Sequence, residues 1–403
     1  MSKEVYIVDG VRTPIGSFRG SLSTIRPDDM GAMVMKSVVE RNNTLDPSAI
    51  EDVIFGCANQ AGEDNRNIAR MSVLLAGLPH TIGGETVNRL CSSGMASTIN
   101  AARAIKDGAG EIYLSGGVEN MTRGPWVISK SAVPFGSDAK LYDSSFGWRF
   151  INPQMDKVYG TEGMGQTAEN LVDKYSISRE DQDKFAAWSQ EKAAKSWSNG
   201  RLAEEVIPVE IPQRKKDPII FDKDEFPRPG TTAEILGKLR PAFRKEGGSV
   251  TAGNASGLND GAAALLVASE QGMKDHQLKP MVRIVGAAVA GVEPRIMGIG
   301  PVHATNKLLK RTGLTMYDMD IIELNEAFAA QSLACTREWG LADNDPRINP
   351  NGGAIALGHP LGMTGARILQ SAAIELQKTQ KRYALVTLCI GVGQGYATIL
   401  ERV

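Results

Sequence analysis

The run Asn349-Pro350-Asn351-Gly352-Gly353-Ala354-Ile355-Ala356-Leu357-Gly358-His359-Pro360-Leu361-Gly362-Met363 decides how this chain is built. It is dense in glycine, nearly free of charge, and ends where a helix-like stretch opens. Upstream, Cys91-Ser92-Ser93-Gly94-Met95 opens another such stretch, with Met95, Ile99, Ala102 and Ile105 on one face. Working outward, each has a similar predecessor: Leu45-Asp46-Pro47 leads into Ile50 to Gly56, and Leu314-Thr315-Met316 leads into Met319 to Asn325. Each is followed by a strand-like segment that ends in glycine, Tyr113 to Gly117 and Thr387 to Gly391. Three matches in one order and at nearly constant separation imply a duplication. His359 then occupies in the second copy the place Cys91 holds in the first.

Strand-like and helix-like segments alternate, which predicts an α/β class. The expected strands are Val5 to Val8, Val53 to Phe55, Glu111 to Leu114, Ala263 to Val267, Ile321 to Leu324 and Tyr383 to Leu388. Between the copies lies a less periodic stretch, about 120–250, with Pro125, Pro134, Pro153 and Pro212 and most of the tryptophans. It reads as an excursion from the first copy that covers the active-site face, or as an ordinary surface insertion. The expected division is 1–275, including that loop domain, and 276–403. Glycine makes up 43 of 403 residues, above the usual share of about 7%, and clusters at element ends, as tight turns and close backbone approach require.

Lys and Arg total 45 against 46 Asp and Glu, a balance that argues against nucleic acid or an anionic membrane as main partner. A hydrophobic content of 42% with 23% charged residues excludes disorder. No apolar run, Ala262 to Ala268 included, approaches the roughly 18 residues of a membrane span. No leader precedes Val5, Glu401-Arg402-Val403 is no peroxisomal address, and four cysteines without a CxxC pair do not make a disulfide framework. The expectation is a cytoplasmic protein with reduced thiols. No dinucleotide fingerprint, P-loop, zinc-ligand set or GxSxG elbow is present, so no metal is expected.

A cysteine at a helix start faces unpaired N–H groups and the positive end of the dipole, which favour a reactive thiolate. Cys91 is placed for that role, against the alternative of a buried structural cysteine. His359 is one of four histidines. Two related halves packed about a pseudo-twofold would bring it to Cys91, where it would take the thiol proton; the alternative is a helix-capping histidine. Cys389 ends a strand before Gly391-Val392-Gly393-Gln394-Gly395 and serves as a second acid/base or as core. Backbone N–H groups of Cys91 and Gly391 suit an oxyanion. Asn325 follows a buried strand, where it either fixes a water or oxyanion or caps a helix. Cys57 and Cys335 read as structural.

With Cys91, Asn325-Glu326-Ala327-Phe328, Gly358-His359-Pro360 and Cys389-Ile390-Gly391 together, the chain resembles the thiolases, acetyl-CoA acyltransferases, over essentially its whole length. Thr251-Ala252-Gly253-Asn254-Ala255-Ser256-Gly257 and Asn259-Asp260-Gly261 match the family's coenzyme A loop. The resemblance implies a thiolase fold: two pseudo-symmetric βαβαβαββ halves in five layers, a loop domain inserted in the first, and a homodimer or homotetramer. It implies Cys91 as the acylated nucleophile, His359 as its activator and, with a water on Asn325, one oxyanion hole. Cys389 is then the acid/base at carbon, and the N–H groups of Cys91 and Gly391 the second hole. Ser256, Met164, Phe243, Phe328 and Met297 would line the pantetheine and acyl pocket. Coenzyme A and acyl-CoA enter as substrates, with no permanently bound cofactor. The residues for the CoA phosphates stay open among Lys223, Arg228 and Arg240.

The expected reaction is thiolytic cleavage of a 3-oxoacyl-CoA to acetyl-CoA and a shortened acyl-CoA. The rivals are condensation to acetoacetyl-CoA, a non-catalytic acyl-CoA-binding relative, and a form gated by a Cys91–Cys389 disulfide. Gly163 stands where some biosynthetic relatives carry a histidine before the residue matching Met164, which favours a degradative enzyme. The segments Cys57 to Asn67 and Gly147 to Pro153 resemble 3-oxoadipyl-CoA thiolases and close 3-ketoacyl-CoA thiolases. Arg149 or Arg66 would then meet an ω-carboxylate, or both are structural.

Overall fold

The computed structural model describes residues 3–403. Nine strands run, in chain order, Val5–Arg12 (β1), Asp52–Gly56 (β2), Glu85–Val87 (β3), Ile112–Asn120 (β4), Asn259–Ser269 (β5), Val282–Gly291 (β6), Ile321–Leu324 (β7), Tyr383–Ile390 (β8) and Gln394–Arg402 (β9). All expected strands are among them. They lie side by side in the order β7-β8-β9-β6-β1-β5-β4-β2-β3, and the short strand Gly16–Ser17 adds to β5.

Leaving aside the edge strand β3, the order reads the same from both ends, which makes the duplication structural. β2 runs parallel to β4 as β7 runs parallel to β8. β4 is antiparallel to β5 as β8 is to β9, and β5 to β1 as β9 to β6. Even the irregularities correspond: the register slips between Ile7 and Asp9 in β1 and between Ile284 and Gly286 in β6. The halves meet where β1 and β6 pair antiparallel through Tyr6–Arg283 and Ile7–Val282.

The main helices are Pro27–Arg41 (α1), Ile68–Leu75 (α2), Ser93–Asp107 (α3), Met164–Tyr175 (α4), Arg179–Ser198 (α5), Gly300–Thr312 (α6), Ala329–Glu338 (α7) and Leu361–Thr379 (α8). α1 starts at Pro27 with Asp28 and Asp29 in its first turn, a start that needs no donor from proline and places acids on the positive dipole end. α3 stops at Gly108, whose φ of 86° ends the helix in the left-handed conformation.

α3 and α8 pack on each other between the two sheet halves. The expected face of α3, Met95, Ile99, Ala102 and Ile105, is buried there with Met363, Leu369 and Ala373 of α8 and Leu265 and Val386 of the sheets. Outside the first half, Met30, Val34 and Val38 of α1 cover Val53, Phe55 and Leu114. Outside the second, Val302, Leu308 and Leu333 of α6 and α7 cover Ile322, Leu324 and Ile399. The result is five layers, each large apolar side chain contributing about 1.5–3 kcal/mol on burial.

The chain leaves the sheet after Asn120 and rejoins it at Asn259. Between lie two hairpins, Trp126–Ile128 with Leu141–Asp143 and Val209–Gln213 with Lys216–Phe221, together with α4 and α5. This stretch lacks sequence periodicity yet contains the 20-residue α5. The reason is polar burial: Gln182, Asp183, Ser189, Gln190 and Ser196 all face inward.

Candidate active site

Cys91 sits in a single 3₁₀ turn, Leu90–Ser92, that runs straight into α3. Leu90 has φ 48°, a left-handed conformation that costs a branched residue energy. Its neighbours hold it there. Asn88 Oδ1 accepts from the Leu90 N–H at 2.9 Å, and Ser93 Oγ accepts from the Arg89 N–H at 2.9 Å and donates to the Leu90 carbonyl at 2.7 Å. The turn aims Cys91 back at the second half. The N–H of Gly391 and its own N–H lie close enough to its sulfur to favour the thiolate. These are the two donors the sequence named for an oxyanion.

One expectation is corrected. The helix start was to give a resting thiolate, but burial outweighs the two N–H groups and pushes the Cys91 thiol up to about 11. Cys91 keeps some exposure, yet the walls around it are protein.

His359 lies between the short helix Ala354–Leu357 and α8. Gly358 before it has φ 109°, and Asn259 fills the space a side chain there would need. Asn259 Oδ1 also accepts the His359 N–H at 2.9 Å. His359 Nδ1 is 2.7 Å from Thr364 Oγ1, and that hydroxyl donates to the Pro360 carbonyl at 2.8 Å. A hydroxyl has one proton to give, so Thr364 accepts from Nδ1–H and the ring keeps its lone pair on Nε2. Burial, then the Arg367 charge, lowers the imidazole to about 3, so it is a neutral base. It caps nothing: the N-cap place of α8 belongs to Pro360.

Asn325 directly follows β7, with Nδ2 3.4 Å from His359 Nε2 and a buried Oδ1 that has no protein partner. It is not a helix cap either, since Phe328 holds that place before α7. Its neighbour Glu326 is fully engaged, accepting from Ser189 Oγ, Asn349 Nδ2 and the Ile355 N–H.

Cys389, 1% exposed, is packed with Met297, Phe328, Ala255 and Ala327. Burial pushes its thiol well above the usual range, and the nearby Cys91 sulfur adds to this. Phe243 is half-exposed and meets Phe328 edge-on with centroids 6.1 Å apart. Met164, at the start of α4, reaches toward Gly391 and lines a narrow hollow with Trp148, Thr167, Pro294 and Val392. Ser256 fastens the Thr251–Gly257 loop to the Asn325 segment, its N–H and hydroxyl both donating to the Ala327 carbonyl at 3.0 and 3.1 Å. All ten named residues thus gather at one end of the two halves.

Sequence reasoning missed two supports, Thr364 and Glu119, and named Asn259 without its hold on His359. Glu119 Oε2 accepts from the N–H groups of Ala58 and Gly362, and Oε1 from that of Asn59, which ties the loop after β2 to the start of α8. Burial raises its carboxyl to about 7. The signal was available, a polar residue at the end of an apolar strand, as with Asn325. Cys57, Asp64 and Glu119 are close enough to share an ion, but these N–H bonds already occupy both Glu119 oxygens. A larger hollow of about 340 Å³ lies elsewhere, and its rim charges are paired as Arg41–Asp9 and Lys378–Glu204. Of the candidates for CoA phosphates, Lys223 lies over Trp197 and Arg240 is exposed. Arg228 lies over Phe226, whose ring abuts Gly257 of the Thr251–Gly257 loop.

The thiolase N-terminal domain family matches residues 5–271 and the thiolase C-terminal domain family residues 278–402. This chain belongs to the thiolase family. It is 54% identical over 401 residues to a beta-ketoadipyl-CoA thiolase of Acinetobacter baylyi, covering all of both chains. It is 55% identical over 401 residues to the 3-oxoadipyl-CoA/3-oxo-5,6-dehydrosuberyl-CoA thiolase of Escherichia coli K12, again covering all of both. Among solved structures, the Bacillus anthracis acetyl-CoA acetyltransferase superposes with a TM-score of 0.92 at 40% identity, covering 100% of this chain and 99% of that one. The protein is an acyltransferase that cleaves a 3-oxoacyl-CoA with coenzyme A to acetyl-CoA and a shortened acyl-CoA.

Proposed function

We propose that thiolysis runs through an acyl group on Cys91 and that the substrate is a 3-oxoacyl-CoA ending in a carboxylate, 3-oxoadipyl-CoA foremost. Cys91 sulfur attacks C3 while His359 Nε2 takes its proton, and the N–H groups of Cys91 and Gly391 hold the C3 oxyanion. The C2–C3 bond breaks. The electron pair passes to C2 as the enolate of acetyl-CoA, held by His359 and a water on Asn325, and Cys389 protonates C2. Coenzyme A then gives its thiol proton to Cys389 and attacks the acyl-Cys91. The shortened acyl-CoA leaves, and His359 returns its proton to Cys91.

The observation that carries the mechanism is the fixed His359 ring, its Nδ1 2.7 Å from Thr364 Oγ1 and its Nε2 3.4 Å from Asn325 Nδ2. The substrate is supported by the names of the full-length relatives and by Gly163. Degradation is the working direction, and coenzyme A enters only as substrate. No helix is long and apolar enough to cross a membrane; the cytoplasm is the proposed location. Exposed Trp126, Ile128 and Phe135 favour a homodimer or homotetramer.

Peptide mapping after mixing with acetyl-CoA alone tests the mechanism. Acetyl on Cys91, absent in Cys91→Ala, is expected; no acetyl on any cysteine overturns it. For the substrate, kcat/KM for 3-oxoadipyl-CoA no higher than for 3-oxohexanoyl-CoA overturns the dicarboxylate reading.

A further inference from the structure

We infer that Arg149 is the residue that selects an ω-carboxylate. The inference rests on the dicarboxylate reading above and names the group that enforces it.

Arg149 lies in the excursion, partly buried, and its guanidinium is fixed by two neutral acceptors: the Ser144 carbonyl at 3.1 Å and Asn59 Oδ1 at 3.2 Å. A guanidinium has five N–H donors, so three remain free, and Arg149 pairs with no carboxylate among the described residues. Arg89, also without a carboxylate, is held by Gln394 Oε1 at 3.2 Å and lies over the Tyr396 ring, and three further arginines are ion-paired. Arg123 pairs with Glu63, Arg26 with Asp28 and Glu63, and Arg295 with Glu162. A half-buried cation held rigid but without a counter-charge has lost water without gaining an ion pair. An incoming carboxylate supplies the missing partner as a charge-assisted, planar pair.

The position is tied to both halves of the reacting centre. The Asn59 N–H donates to Glu119 Oε1, and Glu119 Oε2 holds the N–H of Gly362, just past His359. The Ala58 carbonyl accepts from Asn88 Nδ2, and Asn88 Oδ1 holds Leu90, the neighbour of Cys91. Trp148, beside Arg149, lines the hollow that contains Met164 and Val392, next to Gly391. In 3-oxoadipyl-CoA the terminal carboxylate is three carbon–carbon bonds from the attacked carbonyl, so its partner must stand at the reacting end of the site, the end to which these bonds tie Asn59 and through it Arg149. Arg66 is the other arginine named from the sequence. It is exposed and carries no such ties.

The test measures kcat/KM on 3-oxoadipyl-CoA and on 3-oxohexanoyl-CoA, an uncharged chain of equal length, in the full protein. Two variants are compared with native: Arg149→Gln, which removes the cation, and Asn59→Asp, which keeps Arg149 but gives it a fixed carboxylate. The preference for 3-oxoadipyl-CoA is expected to fall on the order of 100-fold in Arg149→Gln and on the order of tenfold in Asn59→Asp. Arg149→Lys should recover part of it. A native enzyme without that preference defeats the substrate reading itself. A native preference that both variants keep, or an equal loss on both substrates as a CoA-phosphate contact would give, overturns the assignment of Arg149 alone. Should Arg149→Gln fail to fold, Asn59→Asp decides.

Discussion

Replacing Thr364 by valine keeps the shape of the side chain and deletes one oxygen. That oxygen accepts from His359 Nδ1–H at 2.7 Å, where His359 is 4% and Thr364 1% exposed, so no solvent takes its place. The Pro360 carbonyl loses little, because it also accepts from the N–H groups of Met363 and Thr364. The cost falls on Nδ1–H: a buried unpaired donor costs about 1–3 kcal/mol. The ring escapes by moving its proton to Nε2, and in that tautomer it cannot take the proton of Cys91. A bias of about 2 kcal/mol leaves roughly one ring in thirty competent. kcat for thiolysis of 3-oxohexanoyl-CoA is therefore expected to fall on the order of 30-fold, with KM near native, and Thr364→Ser should restore most of it. Nitrogen-15 NMR of the imidazole reads the tautomer directly. A Thr364→Val enzyme within twofold of native kcat, with Nε2 still unprotonated, refutes the hydroxyl as the lock.

With Cys91 raised to about 11 and His359 lowered to about 3, both groups are neutral from pH 5 to 8. The thiolate fraction then grows with pH, and inactivation by iodoacetamide should rise about tenfold per pH unit from 7 to 9; a plateau reaching down to pH 5 would reveal a resting ion pair and defeat this reading. Gly117→Ala would drive its methyl into the main-chain oxygens of Gly362 and Gly56, which cannot swing aside. It should cost about 3 kcal/mol, and a melting temperature within about 2 °C of native counts against it.

The duplication was legible because glycine marks the same turns in both copies, and Ile321–Leu324 was legible to the residue. β6 and β9 were not. Each carries glycine and alanine where a helix or sheet approaches closely, as at Gly286 and Gly395, so their apolar signal is weak. α5 hid because its inward face is polar. Cys91, His359 and Cys389 were legible as rare chemical types at element ends, and Asn325 by its place after a buried strand. Thr364 was not, since a threonine in the first turns of a helix is ordinary until the ring it touches is in view. The charge state of the thiol was not legible either, because it depends on enclosure by segments distant in sequence.

The contact between α3 and α8 has a consequence for how such an enzyme can vary. A methyl on Gly94 would lie 2.6 Å from the Gly362 oxygen, and one on Gly365 would strike Met95. The two central helices therefore rest main chain on main chain, with no side chain as spacer between the turn that carries Cys91 and the loop that carries His359. The separation of Cys91 and His359 is set by the thickness of the polypeptide itself. Drift in the outer cores, one leucine for another isoleucine, can reshape the flanks without resetting that gauge, so the acyl pocket is free to diversify while the chemistry at its floor holds still.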